Sequence, residues 1–316
     1  MKAAVVSVLG HPPLYDDFPD PTPADGEVLI HVRAAGLHPI VKALAAGSHY
    51  ASTGEVPMIP GVDGVGTLDD GRRVYFGFAR KPWGTMCERT VAPLARCLPL
   101  PDNLNDVQAA AIANPGMSAW LSLKERAGLK QGEHVLILGA TGVAGQIAIQ
   151  AARHLGASRI IAAGRNLEAI AGEGPDAVVS LTQSEDEIRD AFTSEAKQGI
   201  DVIIDYLWGR PTELLLEALA RCFDPNAAHA TRLVEVGESA GKTITLPGAT
   251  LRSIDLKLMG SGFGSFPLQR VLDAIPILFT LGAAGILKVA AEPVPLSQVE
   301  SAWGRKDSGK RIVFTP

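Results

Sequence analysis

Residues 134–166 read HVLILGATGVAGQIAIQAARHLGASRIIAAGRN, and no other stretch limits the fold as tightly. Val135-Leu136-Ile137-Leu138 is a short, wholly apolar, partly β-branched run that stops at glycine, the pattern of a parallel strand buried on both faces. Residues 146–155 then carry apolar side chains on nearly every helical face, with Ile147, Ala151 and Leu155 stacked at spacing four, and Gly156 follows as a C-cap. Residues 159–163 make the next strand.

The turn between strand and helix is Gly139-Ala140-Thr141-Gly142-Val143-Ala144-Gly145. A glycine at 142 lets backbone approach a ligand, Gly145 permits close helix–strand contact, and a helix N-terminus offers free N–H groups and a positive dipole end. These are the parts of a phosphate cradle. Against the dinucleotide fingerprint G-x-G-x-x-G, the first position holds Ala140, so the strict pattern fails by one methyl group while the strand–turn–helix–strand context holds. The competing reading, an ordinary βα turn that binds nothing, is outweighed by that context.

The tip of the second strand, Gly164-Arg165-Asn166, selects the cofactor. NAD-selective folds place an Asp or Glu there to accept the ribose hydroxyls. Here no acid comes before Glu168, whereas Arg165 can grip a 2′-phosphate with two parallel hydrogen bonds and Asn166 can donate beside it. NADPH is therefore expected over NADH; the alternative is that Arg165 is a solvated surface arginine.

The 316 residues hold one large domain or two ordinary ones, with 47% hydrophobic and 20% charged residues. A net charge of −5, with 29 unclustered basic residues, argues against nucleic-acid or membrane-surface partners and for small-molecule ligands. Cys87, Cys97 and Cys222 are too few and too scattered for a disulfide framework, which fits a reducing cytoplasm. Residues 3–9 read as a first strand rather than a signal peptide, and the most apolar stretch, 271–291, is interrupted by Asp273, Pro276 and Lys288.

Along the chain, residues 2–7, 28–34, 64–68, 72–76 and 85–91 read as short strands, with Asp69-Asp70-Gly71 as a hairpin turn, so an antiparallel, barrel-like lobe is expected first. Asp106 opens an Ala-rich helix through Ala113 that Asn114-Pro115-Gly116 interrupts, and a second helix spans 117–127. After Asn166, strands at 177–181, 201–205, 232–236 and 256–260 alternate with helices at 185–197 and 212–222, which predicts a parallel doubly wound sheet. Helices at 268–281 and 298–305 and a strand at 311–314 carry the chain back to the first lobe. The domain expectation is 1–115 for the first lobe, 116–256 for the nucleotide lobe, and 257–316 for the end of that sheet and the return.

The early Pro60-Gly61-Val62-Asp63-Gly64-Val65-Gly66, the tract Asn114-Pro115-Gly116-Met117-Ser118-Ala119-Trp120, the glycine turn and the terminal Gly309-Lys310-Arg311-Ile312-Val313 together resemble the medium-chain dehydrogenase/reductase superfamily, specifically its zinc-free quinone oxidoreductase branch. The resemblance implies a GroES-like antiparallel β-barrel catalytic domain, a Rossmann domain binding NADPH, and a cleft between them. It also implies contacts from Asn114, Met117 and Ser118 to the nicotinamide side. Gly237 and Gly260-Ser261-Gly262 end later strands at the carboxyl edge where ligands bind in open α/β sheets; Asp205, Tyr206 and Trp208 end another. For each of these, ordinary turn and core packing is the competing reading.

Where zinc-dependent relatives have Cys and His-Glu, this chain has Leu37 and Val62-Asp63, so no metal is expected; an improvised set of His38, His49, Asp63 and Cys87 lacks the usual ligand spacing. Hydride chemistry then needs only a group to polarise the acceptor carbonyl. Quinone oxidoreductases carry an Asn and, five residues on, a Tyr where this chain has His38 and Ala43. The catalytic candidates are His38, Tyr50 and Lys42, each with a bland alternative: a packed histidine, a lid or core tyrosine, a solvated lysine. The expected function is NADPH-dependent, zinc-independent reduction of quinones or α,β-unsaturated carbonyl compounds by a cytoplasmic homodimer joined through the edge strand 256–260. The alternatives are a zinc-free alcohol or enoyl-thioester reductase, or an NADPH-binding protein without turnover.

Overall fold

The computed structural model describes residues 1–222, 230–305 and 309–316. The chain divides into two compact units, one made of Met1–Asn114 and Leu272–Pro316, the other of Pro115–Val271.

In the first unit β1 (Lys2–Val5) pairs antiparallel with β2 (Leu14–Asp17). The ten-residue β3 (Glu27–Gly36) buries Ile30, Val32 and Ala34 and exposes His31 and Arg33, the period-two pattern of a half-buried strand. α1 (Pro39–Ala45) follows at once, with proline in the first turn where its missing N–H costs nothing. β4 (Asp63–Leu68) and β5 (Arg73–Gly77) form the hairpin expected at Asp69-Asp70-Gly71: Gly71 has φ +85° and the Arg72 N–H donates to Asp70 Oδ1 at 3.0 Å. β6 (Arg89–Pro93) starts later than the strand expected over 85–91, because Cys87 makes an isolated bridge to Ala3 instead. β7 (Cys97–Pro99) pairs with β5.

α2 (Asp106–Leu121) corrects the reading of two helices broken at Pro115. Asn105 caps it by accepting the Gln108 N–H at 2.8 Å, and the helix then runs straight through the proline. An interior proline costs about 3 kcal/mol. Ala109, Ala111, Ile112, Ala119, Trp120 and Leu121 are all buried, and packing of that extent outweighs the local penalty.

The second unit continues as β8 (His134–Leu138), α3 (Val143–His154), β9 (Arg159–Gly164), β10 (Ala177–Ser180), α4 (Glu185–Ala196), β11 (Val202–Asp205), α5 (Arg210–Arg221), β12 (Thr231–Glu235), α6 (Gly248–Ser253) and β13 (Leu256–Gly260). Its six strands pair in parallel in the order β10-β9-β8-β11-β12-β13, which by chain order is 3-2-1-4-5-6, the doubly wound arrangement. Leu136, Ile161, Phe192, Ile203, Leu215 and Leu233 form part of its core.

α7 (Leu268–Ala283), β14 (Ala291–Pro295), α8 (Val299–Trp303) and β15 (Arg311–Thr315) complete the chain. β15 joins β3 antiparallel, with Phe314 opposite Ala35, and β14 joins β15 in parallel. β14 is absent from the sequence reading because Pro293 and Pro295 look like loop; it lies at the end of the sheet, where proline is tolerated. The expected barrel is thus a seven-stranded sheet, antiparallel except for β14–β15, with β6 branching from β3. Among the described residues no helix is long and apolar enough to cross a membrane.

Candidate functional site

The turn after β8 is built from backbone. Gly139 has φ +85°, a conformation that favours glycine, and a Cβ there would also come within 3.0 Å of Leu207. The N–H groups of Gly139 and Ala140 both donate to the Ala163 carbonyl, at 2.9 and 3.0 Å, which ties the turn to β9. The methyl of Ala140 is fully buried, so the departure from the strict fingerprint is absorbed inside the protein. A Cβ on Gly145 would lie 2.4 Å from the Gly139 oxygen, and one on Gly164 would lie 2.4 Å from Thr141 Cγ2. Both glycines are therefore required by the turn itself. Gly142 differs: a Cβ there would meet only the Gly139 oxygen, at 3.6 Å. The protein leaves open space at that N-cap, and no side chain caps α3, so the first-turn N–H groups of Val143, Ala144 and Gly145 stay available to an anion. These residues fit a dinucleotide pyrophosphate.

Arg165 and Asn166 are exposed just past β9, and Arg165 makes no ion pair among the described residues. An arginine left unpaired at that position suits a phosphate.

At the carboxyl ends of the later strands, buried polar groups set the loops. Asp205 accepts the N–H groups of Leu207 and Trp208 at 2.8 and 2.9 Å and the Thr212 hydroxyl at 2.5 Å; burial pushes its carboxyl above the usual range against those bonds. Trp208 is held at φ +54°, left-handed for a large residue. The Gly237 N–H donates to the Asp205 carbonyl at 3.2 Å. Ser122, buried on the turn after α2, donates to Ser261 Oγ at 2.8 Å, Arg126 donates to the Gly260 carbonyl at 2.8 Å, and the Gly262 N–H donates to Ser265 at 3.0 Å. Asn114, Met117 and Ser118 are half-buried on α2, and Ser118 faces the buried Tyr206 hydroxyl, whose pKa burial raises. The turn and its tip, Ala140 to Gly145 with Gly164 to Asn166, come together directly.

The three catalytic candidates in the first unit do not come together. Lys42 donates to the Arg305 carbonyl at 3.0 Å, and Tyr50 is 76% exposed with its ring 4.1 Å from that of His49. His38 is fully buried as the N-cap of α1, with Nε2 3.4 Å from Asp63 Oδ1. Tyr75 donates to the other oxygen, Asp63 Oδ2, at 3.0 Å, and burial holds its phenol well above the usual range. The register makes this possible: β4 and β5 pair Val65 with Tyr75, so Tyr75 stands diagonally across from Asp63 on one face. Sequence reasoning places Asp63 with His38 only in an improvised metal set and misses Tyr75, because the spacing of Tyr75 from Asp63 along the chain carries no signal of their bond.

Of the improvised metal set, Cys87 donates to the Arg89 carbonyl at 3.1 Å, with burial pushing its thiol up to about 12, and His49 Nδ1 accepts the Ala51 N–H at 3.1 Å. No group of three or more His, Cys, Asp or Glu among the described residues is arranged to hold a metal ion.

No family model matches the chain. Among curated proteins it is similar to the probable NADPH-dependent quinone reductase tdiC of Emericella nidulans, 27% identical with both chains fully covered. It is also similar to prostaglandin reductase-3 of Bos taurus, 26% identical over 95% of this chain and 84% of that one. Among solved structures it is similar to the quinone oxidoreductase of Thermus thermophilus, also described in complex with NADPH, at 28% identity and TM-score 0.78 with both chains fully covered. A mycobacterial quinone oxidoreductase shares the fold at TM-score 0.84 and 23% identity, again over the whole of both chains. These neighbours are quinone oxidoreductases and related medium-chain dehydrogenase/reductases, in line with the zinc-free branch that the sequence resembles.

Proposed function

We propose that this chain is an NADPH-dependent, zinc-independent oxidoreductase that reduces quinones or α,β-unsaturated carbonyl compounds. The observation that carries the reading is the uncapped, glycine-opened N-terminus of α3 beside the exposed Arg165 and Asn166. The names of the similar proteins, NADPH-dependent quinone reductase, quinone oxidoreductase and prostaglandin reductase, support it.

When bound, NADPH supplies a hydride. The chain's own residues do the rest. The first-turn N–H groups would hold the pyrophosphate, and Arg165 with Asn166 would hold the 2′-phosphate. Asn114, Met117, Ser118, Gly237, Gly260, Ser261 and Gly262 would orient the nicotinamide end. Reduction of a carbonyl acceptor also needs a proton or a hydrogen-bond donor, and of the three candidates His38 is taken for this role because the Asp63 carboxylate lies 3.4 Å from its Nε2. Leu37 and Val62 replace the ligands that a zinc mechanism would use.

An enoyl-thioester reductase would gain from a basic entrance for coenzyme A phosphates. Here Arg80 pairs with Glu27 at 3.1 Å and Lys81 donates to Thr53 at 2.7 Å, which disfavours that alternative. Steady-state NADPH oxidation with panels of quinones, enones and enoyl thioesters tests the reading. Turnover with quinones or enones is expected, and binding of NADPH without turnover on any panel would overturn it.

The reading includes a cytoplasmic homodimer. β13 ends the parallel sheet with Leu258 at 37% exposure, and pairing across a two-fold axis would satisfy its free edge. Light scattering should give about twice the 33.2 kDa of one chain, and Leu258→Pro should yield monomers or aggregates.

A further inference from the structure

Behind α1 lies a polar cluster that the chemistry above uses only at one corner. His38, Asp63 and Tyr75 are 0%, 4% and 6% exposed. A carboxylate this deep is costly unless its oxygens are engaged, and Tyr75 engages only Oδ2. The other oxygen faces His38 Nε2 at 3.4 Å, longer than an ordinary N–H···O bond and within ion-pair range. The approach is built in: a Cβ on Gly36 would sit 2.4 Å from His38 Nε2, so the imidazole lies where only glycine leaves room for it. Arg311 of β15 is a further charge at this place, buried and donating to the Leu37 carbonyl at 2.7 Å.

We propose that Asp63 is a positioning residue, which keeps a proton on Nε2 of His38 and is itself held by Tyr75. An Nε2 without a proton would set its lone pair against that of Oδ1, whereas an Nε2–H points at a carboxylate whose second oxygen is already anchored. An oriented carboxylate beside a histidine selects the tautomer and aligns the ring in the same way at other sites. The raised phenol of Tyr75 agrees with its being the donor of the pair. The proposal rests on His38 being the proton-handling group of the reductase.

The test uses full-length protein with ¹⁵N-labelled histidine, seven residues in all, with His38→Asn identifying the His38 signals. At neutral pH the wild-type Nε2 should carry the shift of a protonated nitrogen, and Asp63→Leu should move the ring toward the Nδ1–H tautomer. In the same proteins kcat for NADPH-dependent reduction of 1,4-naphthoquinone should fall at least about tenfold in Asp63→Leu with KM for NADPH unchanged. Asp63→Asn, which keeps an oxygen acceptor without the charge, should fall between, and it carries the test if Asp63→Leu does not fold. An Nε2 that is unprotonated in the wild type, or unmoved in both variants, overturns the proposal. If instead His38→Asn leaves kcat unchanged while the Nε2 signals behave as expected, the positioning stands and the catalytic role of His38 fails.

Discussion

The turn after β8 and the cluster behind α1 are both polar, and they are made in opposite ways. The turn consists of backbone N–H groups on consecutive residues, open at Gly142 and bare of any side-chain cap. The cluster consists of side chains on three separate elements, enclosed so that Tyr75 and His38 have almost no exposed area. Short of proline, substitution leaves the backbone donors of the turn in place and can only obstruct them, whereas each member of the cluster can be deleted singly. Variants in the turn should therefore act through steric fill on cofactor affinity, and variants in the cluster through unpaired buried groups on stability and on the proton side of the reaction.

The largest effect should come from filling the turn where it has no room. Gly145→Val would drive its side chain into the Gly139 oxygen and Ala140 Cα, 2.4 and 2.5 Å from the first added carbon, and should abolish measurable NADPH binding by calorimetry. It should also destabilise the fold by about 1–3 kcal/mol or more in denaturant melts. Gly142→Ala sharpens the contrast: with its nearest neighbour at 3.6 Å it should leave stability within about 0.5 kcal/mol, yet weaken NADPH by obstructing the cradle. Equal losses of stability in the two variants would show that position 142 serves the fold rather than a ligand.

Next in size is the charge at the tip of β9. The wild type should bind NADPH about tenfold or more tightly than NADH, and Arg165→Glu should reverse the order, since a charge-assisted pair becomes a repulsion. Equal dissociation constants for the two cofactors in the wild type would refute the 2′-phosphate contact. The cluster is expected to respond differently. Tyr75→Phe leaves one buried oxygen of Asp63 without its donor and should cost about 1–3 kcal/mol in urea melts, with the dissociation constant for NADPH unchanged. A Tyr75→Phe protein that lost NADPH affinity would mean that the two regions are coupled. The smallest effect, none, is expected from chelation: purified protein should hold far less than one zinc per chain, and chelators should leave the melting temperature where it was.

The same contrast governs what could be read from the amino-acid order. The strand–turn–helix unit, the cradle at Ala140 to Gly145 and the polar tip at Arg165-Asn166 were legible because each depends on residues a few positions apart, with apolar runs and glycines whose roles are local. That the sheet is parallel and doubly wound followed from alternating strands and helices under a fixed handedness of crossover. Helix α2 through Pro115 was not legible, because a local penalty of about 3 kcal/mol is overridden by the burial of residues on both sides of it. Nor was β14, since its two prolines are acceptable only at an edge, and edges are defined by neighbours distant in sequence.

By itself the sequence determined the strand, glycine turn and helix on which the nucleotide site is proposed, because such a turn is a property of local backbone and glycine spacing encodes it directly. Only the tertiary structure decided that His38 meets a carboxylate that a tyrosine holds in place. His38, Asp63 and Tyr75 lie 25 and 12 residues apart, and what joins them is the β4–β5 register and the space left by Gly36 at the end of β3. Neither exists until the strands have paired, since side chains from different strands meet only through the ladder that aligns them.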